Sequence, residues 1–290
     1  MALGLSGCRS LSLLRAMILG LTQGLSEFLP ISSSGHLLLV PWLFGWRDFA
    51  GPGGKELEKA FDVALHVGTS VAVLAYFRKD LGPLARAGLR SARQRAVETA
   101  EERLFWLLVL SAVPGVITGG LLDGFITEHL GAEWLIGLML VVFGGVLLAA
   151  DRRPSDRPEG EFASGDALLM GVAQAVALQP GVSRSGVTMS MARWRRFDRS
   201  ATARLSFLMS VPITGGAVAY KVSKLFLLDG GIPKGFGGAF AVGIVTSGLS
   251  GFAAVALLIK LLRTRTFTPF VAYRTVAGLA VVALAASSLR

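Results

Sequence analysis

Six stretches of the chain are long and apolar enough to cross a lipid bilayer as helices. A spanning helix needs roughly 20 consecutive apolar residues. The stretches that approach this length are 61–77, 104–122, 134–150, 201–226, 238–259 and 268–288. This pattern predicts an all-α polytopic membrane protein with six spanning helices. No polar stretch between them is long enough to hold its own core, which indicates a single membrane domain over 1–290.

Two further apolar stretches are interrupted by polar loops. The first, 11–29, is followed by PISSSGH and a shorter apolar piece that ends at 44. The second, 162–178, is followed by QPGVSRSG and a shorter piece that ends at 192. Clusters of proline, glycine and serine interrupt helices. Each stretch therefore predicts two half-length helices joined by a polar loop.

The basic residues predict the orientation of these helices. Lys and Arg concentrate on the cytoplasmic side of membrane proteins, and here they cluster in 78–103, 151–157, 193–204 and 260–265. A single crossing between 162 and 192 would put the third cluster outside. That segment is therefore predicted to enter and leave by the cytoplasmic face, as a re-entrant hairpin, and the first hairpin is expected to enter from the opposite face.

An internal repeat supports this arrangement. GLTQGLSEFLPISSSG (20–35) and GVAQAVALQPGVSRSG (171–186) share Gly-x-x-Gln, a proline and a Ser-x-Ser-Gly ending. Hairpins that enter from opposite faces are typical of inverted repeats, and their loops meet near the membrane midplane. The sequence predicts two inverted halves, about 1–150 and 151–290.

Charge and composition exclude other classes. The chain has 52% hydrophobic residues and a net charge of +10, but its basic residues form short clusters between apolar runs, without the stacking aromatics of nucleic-acid binding. The run MARWRRFDRS (191–200) is instead interpreted as an anchor to anionic membrane lipids. The small-residue spacings 115/119 and 120/124 predict close helix packing. The lone Cys8 excludes an internal disulfide.

The two polar loops collect the candidate functional residues. Gln23 and Glu27 are four apart and share a helix face. The remaining candidates are Ser32, Ser33, Ser34 and His36 in the first loop, and Ser183, Arg184, Ser185 and Thr188 in and after the second. Ionisable groups at membrane depth are expensive and are functional candidates by default.

This set of side chains suits a phosphate group. A guanidinium matches phosphate oxygens in bidentate fashion, and the helix that follows the second loop adds its N-terminal dipole. The competing interpretation is that Arg184 pairs with Glu27 only to neutralise both. His36 is a candidate acid or base for Ser33 or water, or a structural histidine, while His66 is a weaker candidate that lines the cavity. Glu27 with Gln23 could hold a divalent cation, Mg²⁺ or Ca²⁺, together with phosphate oxygens.

At these residues the sequence resembles the undecaprenyl-diphosphatase family, the bacitracin-resistance type of bacterial membrane phosphatase. QGLSE, EFLPISSSGH and PGVSRSGVT match the family's motifs, and FDVALHVGTSVAVLAYFRKDL (61–81) and ARLSFLMSVPITGGA (203–217) match further segments. The resemblance implies removal of the terminal phosphate from undecaprenyl diphosphate, which regenerates the carrier used in cell-wall synthesis. It also implies bacitracin resistance, dependence on a divalent cation, a bacterial inner-membrane location and a site open to the extracytoplasmic side.

The resemblance also implies roles for individual residues. Glu27 and Gln23 would bind the cation and the diphosphate, and Ser33 and His36 would take part in the chemical step. The phosphate would contact Arg184 with Ser183, Ser185 and Thr188, and we add Ser32 and Ser34 as substrate-binding candidates. Many members have glutamate where this chain has Gln23, which favours a cation bound mainly as a complex with the diphosphate.

Other functions remain open at the level of the sequence. Inverted repeats with broken helices at the midplane are a transporter architecture, so a transporter or flippase for a phosphorylated lipid or anion is the alternative. The acid-phosphatase-like lipid phosphatases are disfavoured. Their pattern has a histidine and an aspartate at a set distance after Ser-Arg, and this chain has no such residues at that distance. A homodimer is one assembly that the sequence allows.

Overall fold

The computed structural model describes residues 11–51, 53–228, 231–232 and 235–287, and within them every regular element is a helix. Cys8 and the last residue of the final predicted span lie outside the described residues. The helices are α1 Leu13–Phe28, α2 Ser33–Leu43, α3 Gly54–Tyr76, α4 Arg78–Gln94, α5 Ala100–His129, α6 Glu133–Asp151, α7 Ser164–Val176, α8 Arg184–Trp194, α9 Arg199–Ser210, α10 Gly216–Leu227, α11 Gly237–Leu262 and α12 Thr268–Ala286, with a 3₁₀ turn at Glu159–Glu161 and a π-helical turn at Val211–Gly215.

The spanning helices follow the predicted apolar stretches. Among the described residues, five helical units are long and apolar enough to cross a bilayer: α5 as far as Leu122, α6, the unit α9–π–α10, α11 and α12. The sixth is α3, which meets the same requirement together with α4, from which it is bent by 87°. The polytopic membrane class is confirmed.

The segment 78–103 differs from its prediction as a loop. Most of it is α4, which runs nearly perpendicular to α3 and buries Leu84, Ala87 and Gly88 on one face. A Cβ at Gly88 would overlap the ring of Phe105, so α4 lies close against α5. Arginine, leucine and alanine all favour helix, and the high charge of the segment concealed its apolar face. The basic side chains are carried by an amphipathic helix.

Both interrupted stretches are broken helices, as predicted. α1 and α2 are separated by four residues, and α7 and α8 by seven. α1 packs along α11, and α7 packs along α5, so each hairpin lies against a helix from the other half of the chain. This exchange of partners agrees with the repeat seen in the sequence and brings the two breaks into contact.

Glycine permits the closest helix contacts, although not at the predicted positions. Gly20, Gly24 and Gly68 lie so near α11 that an added Cβ would overlap its atoms. Gly119, Gly120 and Gly124 instead face open space, and only Gly115 of the predicted spacings meets a neighbour, Ile213. The prediction of close packing at 119, 120 and 124 was wrong, because the spacing alone does not say which face of α5 is covered.

The segment 193–204, which includes the four arginines of the run MARWRRFDRS (191–200), forms ion pairs within the protein, and anchoring of that run to lipid stays a prediction. Each of its arginines is paired with a carboxylate, in the pairs Arg193–Asp151, Arg195–Asp166, Arg196–Asp156, Arg199–Asp151 and Arg204–Asp80. Arg193 is 2% exposed and also donates to the carbonyls of Asp151, Arg153 and Phe197. These pairs therefore connect α8, α9 and the turn between them to the end of α6, the segment after it, α7 and α4.

Gly24→Val is expected to destabilise the protein, because the new side chain must push α1 away from Ser250 and Gly251 of α11. Overpacking of this kind costs about 1–3 kcal/mol. Thermal unfolding of the detergent-solubilised protein measures the change. Gly120→Val on the open face of α5 is the matched control; equal melting temperatures for the two variants would refute the packing described here.

Candidate active site

The first break is formed by a proline and a strained serine. α1 ends at Phe28, because Pro30 cannot continue a helix. Ser32 has a φ of 79° and caps α2 by accepting a hydrogen bond from the Gly35 N–H on its hydroxyl, at 3.4 Å. A positive φ in a residue other than glycine is uncommon and is found at functional sites. The break thus fixes where α2 begins, at Ser33.

The second break repeats this geometry. Ser183 has a φ of 77° and caps α8 by accepting a hydrogen bond from the Gly186 N–H, at 3.1 Å. Gly181 has a φ of 92°, and an added Cβ would lie 2.6 Å from the carbonyl oxygen of Ile136, so only glycine fits there. Ser33 and Arg184 consequently occupy the same position, the first residue of the helix after each break.

The two breaks are joined by hydrogen bonds. The Gly181 N–H donates to the Ser32 hydroxyl at 3.1 Å, and the Ser185 hydroxyl donates to the Leu29 carbonyl at 3.0 Å. These contacts satisfy backbone groups that the breaks free from helical hydrogen bonding. They also bring the end of α1 next to the start of α8.

Glu27 is the centre of the resulting cluster. Its carboxylate accepts hydrogen bonds from Ser33 Oγ at 2.7 Å, Gln23 Nε2 at 3.1 Å and Arg184 Nη2 at 3.1 Å. His66 Nε2 of α3 lies 3.8 Å from the same carboxylate. Glu27 is 7% exposed and Gln23 is fully buried. Gln23 and Ser33 are close to Glu27 in sequence, whereas His66 and Arg184 bring two distant helices, α3 and α8, to the same buried carboxylate.

The Glu27–Arg184 pair was weighed as a neutralising pair and does form. The hydroxyl of Ser33 on the same carboxylate distinguishes it from a simple ion pair, because a hydroxyl hydrogen-bonded to a carboxylate is the arrangement expected of a serine nucleophile and its base. Arg184 Nη1 approaches the Ser206 carbonyl at 3.4 Å. Two contacts therefore hold the Arg184 guanidinium, and within the described part of the chain its remaining N–H groups can still donate to a ligand.

The other predicted hydroxyls have partners within the protein. Ser32 and Ser183 cap helices, and Ser185 binds the Leu29 carbonyl. Thr188 Oγ1 lies 2.9 Å from the Arg184 carbonyl and 2.6 Å from Ser206 Oγ. These hydroxyls build the loops around Glu27 and Arg184. Their contact with a substrate stays a prediction.

His36 and Ser34 stand apart from the cluster. His36 Nδ1 lies 2.7 Å from the Ser32 carbonyl, and Nε2 lies 2.6 Å from the Tyr273 hydroxyl. Since a carbonyl only accepts, Nδ1 carries a proton, and both ring nitrogens are occupied. Ser34 is exposed on α2. In this conformation neither side chain shares the contacts of Glu27, and their predicted roles remain predictions.

Sequence reasoning missed Arg274 and ranked His66 too low. Arg274 lies in α12, is fully buried, and donates to the carbonyls of Pro30 and Gly181 at 3.0 and 2.9 Å. The signal for it was available, because it is a single arginine inside an apolar span. His66 was considered only as a residue that lines the cavity, whereas its Nδ1 bond to the Asp62 carbonyl turns Nε2 toward Glu27.

A cleft of about 130 Å³ opens beside the cluster, with Glu27 in its lining. Its walls come from α1, α3 and the π-helical turn; the other lining residues are Phe28, Thr69, Ser70, Val73, Leu74, Ser210, Val211, Thr214 and Gly215. π-helical turns are frequent at functional sites. The cleft is mostly apolar apart from the carboxylate and a few hydroxyls.

The oxygen atoms near Glu27 fit a weakly held hard cation. Gln23 Oε1 is buried and has no hydrogen-bond partner within the described part of the chain, which leaves it available beside the carboxylate. No group of three His, Cys, Asp or Glu side chains that could hold a metal occurs among the described residues. Mg²⁺ usually takes only one or two protein carboxylates and completes its shell with phosphate oxygens and water.

A comparison with known families shows which family the chain belongs to. The family model described as "Bacitracin resistance protein BacA" matches residues 16–280, which include both breaks and all of the residues around Glu27. The chain belongs to this family. The match extends from α1 into α12, so the BacA family includes both halves of the repeat.

Curated relatives match over nearly the whole chain. The chain is 45% identical over 270 residues to an undecaprenyl-diphosphatase of Desulforudis audaxviator, covering 93% of this chain and 96% of the relative. It is 44% identical over 278 residues to one of Pelotomaculum thermopropionicum, covering 96% and 98%. A relative of the same name from Nocardioides is 42% identical over 282 residues, covering 95% and 97%.

Removing one partner of the buried pair is expected to destabilise the protein strongly. Arg184→Met leaves the buried Glu27 carboxylate without the guanidinium that neutralises its charge, and a loss of this kind typically costs about 3–5 kcal/mol. Glu27→Gln combined with Arg184→Met removes both charges and should recover much of this loss. Thermal unfolding measures Arg184→Met, Glu27→Gln and the double variant. Arg196→Met at the exposed Arg196–Asp156 pair is the control and should cost less than about 1 kcal/mol; strictly additive effects at Glu27 and Arg184 would argue against the coupling.

Proposed function

We propose that the protein hydrolyses undecaprenyl diphosphate to undecaprenyl phosphate and inorganic phosphate. The observation that carries this proposal is Ser33 Oγ 2.7 Å from the Glu27 carboxylate, with Arg184 3.1 Å from the other oxygen of that carboxylate. The hydroxyl proposed as nucleophile, the carboxylate proposed as base and the guanidinium proposed to bind phosphate are thus in contact with one another in one buried cluster. Membership of the BacA family and the names of the relatives support the same reaction.

In the first step, Ser33 Oγ attacks the terminal phosphorus and its proton passes to Glu27. The bond between that phosphorus and the bridging oxygen breaks, and undecaprenyl phosphate leaves with the bridging oxygen. Glu27 passes this proton to the departing undecaprenyl phosphate and is a base again. Water then attacks the phosphoserine and gives a proton to Glu27. The bond between phosphorus and Ser33 Oγ breaks, Oγ takes that proton from Glu27, and inorganic phosphate leaves. Phosphoryl transfer depends mainly on positioning and electrostatic stabilisation, which the fixed position of Ser33 at the start of α2 supplies.

Arg184 stabilises the charge on the transferred phosphoryl group. It lies at the first position of α8, so the phosphate would also meet the positive end of that helix. Phosphate oxygens offer the guanidinium a bidentate partner in place of the single bond to Glu27. Release of Glu27 from Arg184 on substrate binding leaves the carboxylate free to act on Ser33.

A divalent cation, Mg²⁺ or Ca²⁺, completes the proposed site. Glu27 and Gln23 Oε1 are the residues that would hold it, together with diphosphate oxygens. When bound, the cation would neutralise part of the negative charge on the diphosphate. The glutamine at 23 contributes an uncharged ligand, so binding of the cation depends on the substrate.

The apolar cleft next to Glu27 suits the first part of the polyprenyl chain. It lies between α3 and the π-helical turn, and Val71 and Leu74 on α3 are 57% and 47% exposed. A lipid tail can extend from this cleft into the bilayer while the diphosphate meets Arg184. The proposed substrate therefore enters from the side rather than through a central pore.

We place the site open to the extracytoplasmic side of the bacterial inner membrane. The basic segments mark the cytoplasmic side. The largest apolar cluster includes Phe28, the neighbour of Glu27, together with Phe77 and Phe197, which adjoin basic segments. This packing supports closure on the cytoplasmic side. Regeneration of the carrier lipid would connect the activity to cell-wall synthesis and to bacitracin resistance.

Phosphate release from undecaprenyl diphosphate by the purified protein tests the proposed function. Wild type is expected to turn over with added Mg²⁺ or Ca²⁺ and to lose activity with a chelator. Arg184→Ala and Glu27→Ala should each lower the rate about a hundredfold or more, roughly 2.7 kcal/mol of transition-state stabilisation. Folded wild type that releases no phosphate under these conditions would overturn the proposal in favour of a lipid or anion transporter.

Acid quenching during turnover tests the nucleophile. Labelled phosphate in the terminal position should be trapped on Ser33 and located by peptide mass spectrometry, because the first step forms a phosphoserine. Ser33→Ala should lose both the trapped label and the turnover. Normal turnover in Ser33→Ala would instead assign the attack to water activated by Glu27.

A further inference from the structure

Arg274 occupies a place in the fold that the proposed reaction leaves unexplained. It lies in the apolar helix α12 and is fully buried. Its guanidinium donates to five backbone carbonyls, those of Leu140, Pro30, Met139, Gly181 and Val182. Two of these belong to α6, one to the first break and two to the second. One side chain therefore contacts both breaks at once.

Helix breaks at membrane depth need donors of this kind. Carbonyls freed from a helix cannot bind water inside the bilayer, and an unsatisfied group costs several kcal/mol. The bonds to Pro30, Gly181 and Val182 are 3.0, 2.9 and 3.0 Å long. Arginine suits the position because its planar fork presents five donors in fixed directions, which lysine cannot reproduce.

The surroundings of Arg274 are shaped to receive the guanidinium. A Cβ at Gly186 would lie 3.1 Å from Nη1, and a Cβ at Gly144 would lie 3.4 Å from the Cβ of Arg274. Within the described residues, no carboxylate lies within ion-pair distance of Arg274, in contrast to Arg184 and the cytoplasmic arginines. All of its hydrogen bonds go to backbone carbonyls, as expected of a side chain that holds segments of backbone in place.

We propose that Arg274 is a positioning residue that sets the distance between Glu27 and Arg184. Pro30 follows Glu27 by three residues, and Val182 precedes Arg184 by two. By holding both carbonyls on one rigid fork, Arg274 fixes the end of α1 relative to the start of α8, and hence the 3.1 Å contact between the carboxylate and the guanidinium. The kinetic consequence rests on the proposed phosphatase function, whereas the structural consequence does not.

Hydrogen exchange of Arg274→Lys tests this role. Lysine keeps the positive charge but loses the fork, so amide exchange should rise about tenfold or more in both breaks, 29–36 and 179–186, while the spanning helices stay protected. Phosphate release should fall about tenfold or more in kcat, with a smaller change in KM, because the reacting groups lose their alignment.

Arg193→Lys is the matched control. Arg193 is also a buried arginine that donates to backbone carbonyls, but it lies at the cytoplasmic end of α8. Its variant should raise exchange in 151–157 and 193–199 and leave the two breaks protected. If Arg193→Lys loosens the breaks as much as Arg274→Lys does, the effect is general destabilisation and the proposal fails.

Gly186→Ala provides a second test that keeps Arg274, and it decides the matter if Arg274→Lys does not fold. The new methyl group would crowd both Arg274 Nη1 and the Ser183 side chain, each at 3.1 Å. Exchange should rise in both breaks, and the rise in the first break, 29–36, is the one that reports on Arg274. Wild-type protection of the first break in a folded variant would overturn the proposal. Absence of phosphate release from wild type would refute the phosphatase function alone, because the exchange measurement is independent of activity.

Discussion

The whole arrangement depends on one constraint: backbone polar groups inside the bilayer must find partners within the protein. Each of the two broken helices frees carbonyl and N–H groups that neither break satisfies alone. The Ser32 hydroxyl accepts a hydrogen bond from the N–H of Gly181, and the Ser185 hydroxyl donates one to the carbonyl of Leu29. The breaks therefore stabilise each other. A site assembled in this way is held by the same contacts that make the break tolerable in the membrane.

The buried charge of Glu27 follows from this assembly. A carboxylate at this depth is costly unless it is paired and hydrogen-bonded, and it receives bonds from Arg184, Gln23 and Ser33. A pair that only neutralised charge would not need the serine. The serine is bound to the carboxylate that can take its proton, and the arginine can leave that carboxylate for a phosphate. The contacts that stabilise the resting site are thus the ones that the proposed chemistry would rearrange.

The sequence predicted the membrane class, the spans, both breaks and the convergence of Glu27, Ser33 and Arg184, because each depends on residue type and spacing. It did not predict which way hydroxyls point. Ser32, Ser183 and Ser185, which are predicted to bind substrate, also form hydrogen bonds with backbone groups, and the sequence did not indicate these bonds. It also did not predict α4 or the ion pairs of the 193–204 arginines, since their carboxylate partners come from distant segments such as Asp80 and Asp151.

The similar geometry of the two breaks explains why Ser33 and Arg184 meet at the same carboxylate. Ser32 and Ser183 have nearly the same φ and cap α2 and α8 in the same way, so the next residue of each repeat starts a helix in the same geometry. That residue is Ser33 in the first repeat and Arg184 in the second, and both reach Glu27. Glutamate occurs only in the first repeat, where the second has Leu178. Similar backbones thus present different side chains, a hydroxyl and a guanidinium, to one carboxylate.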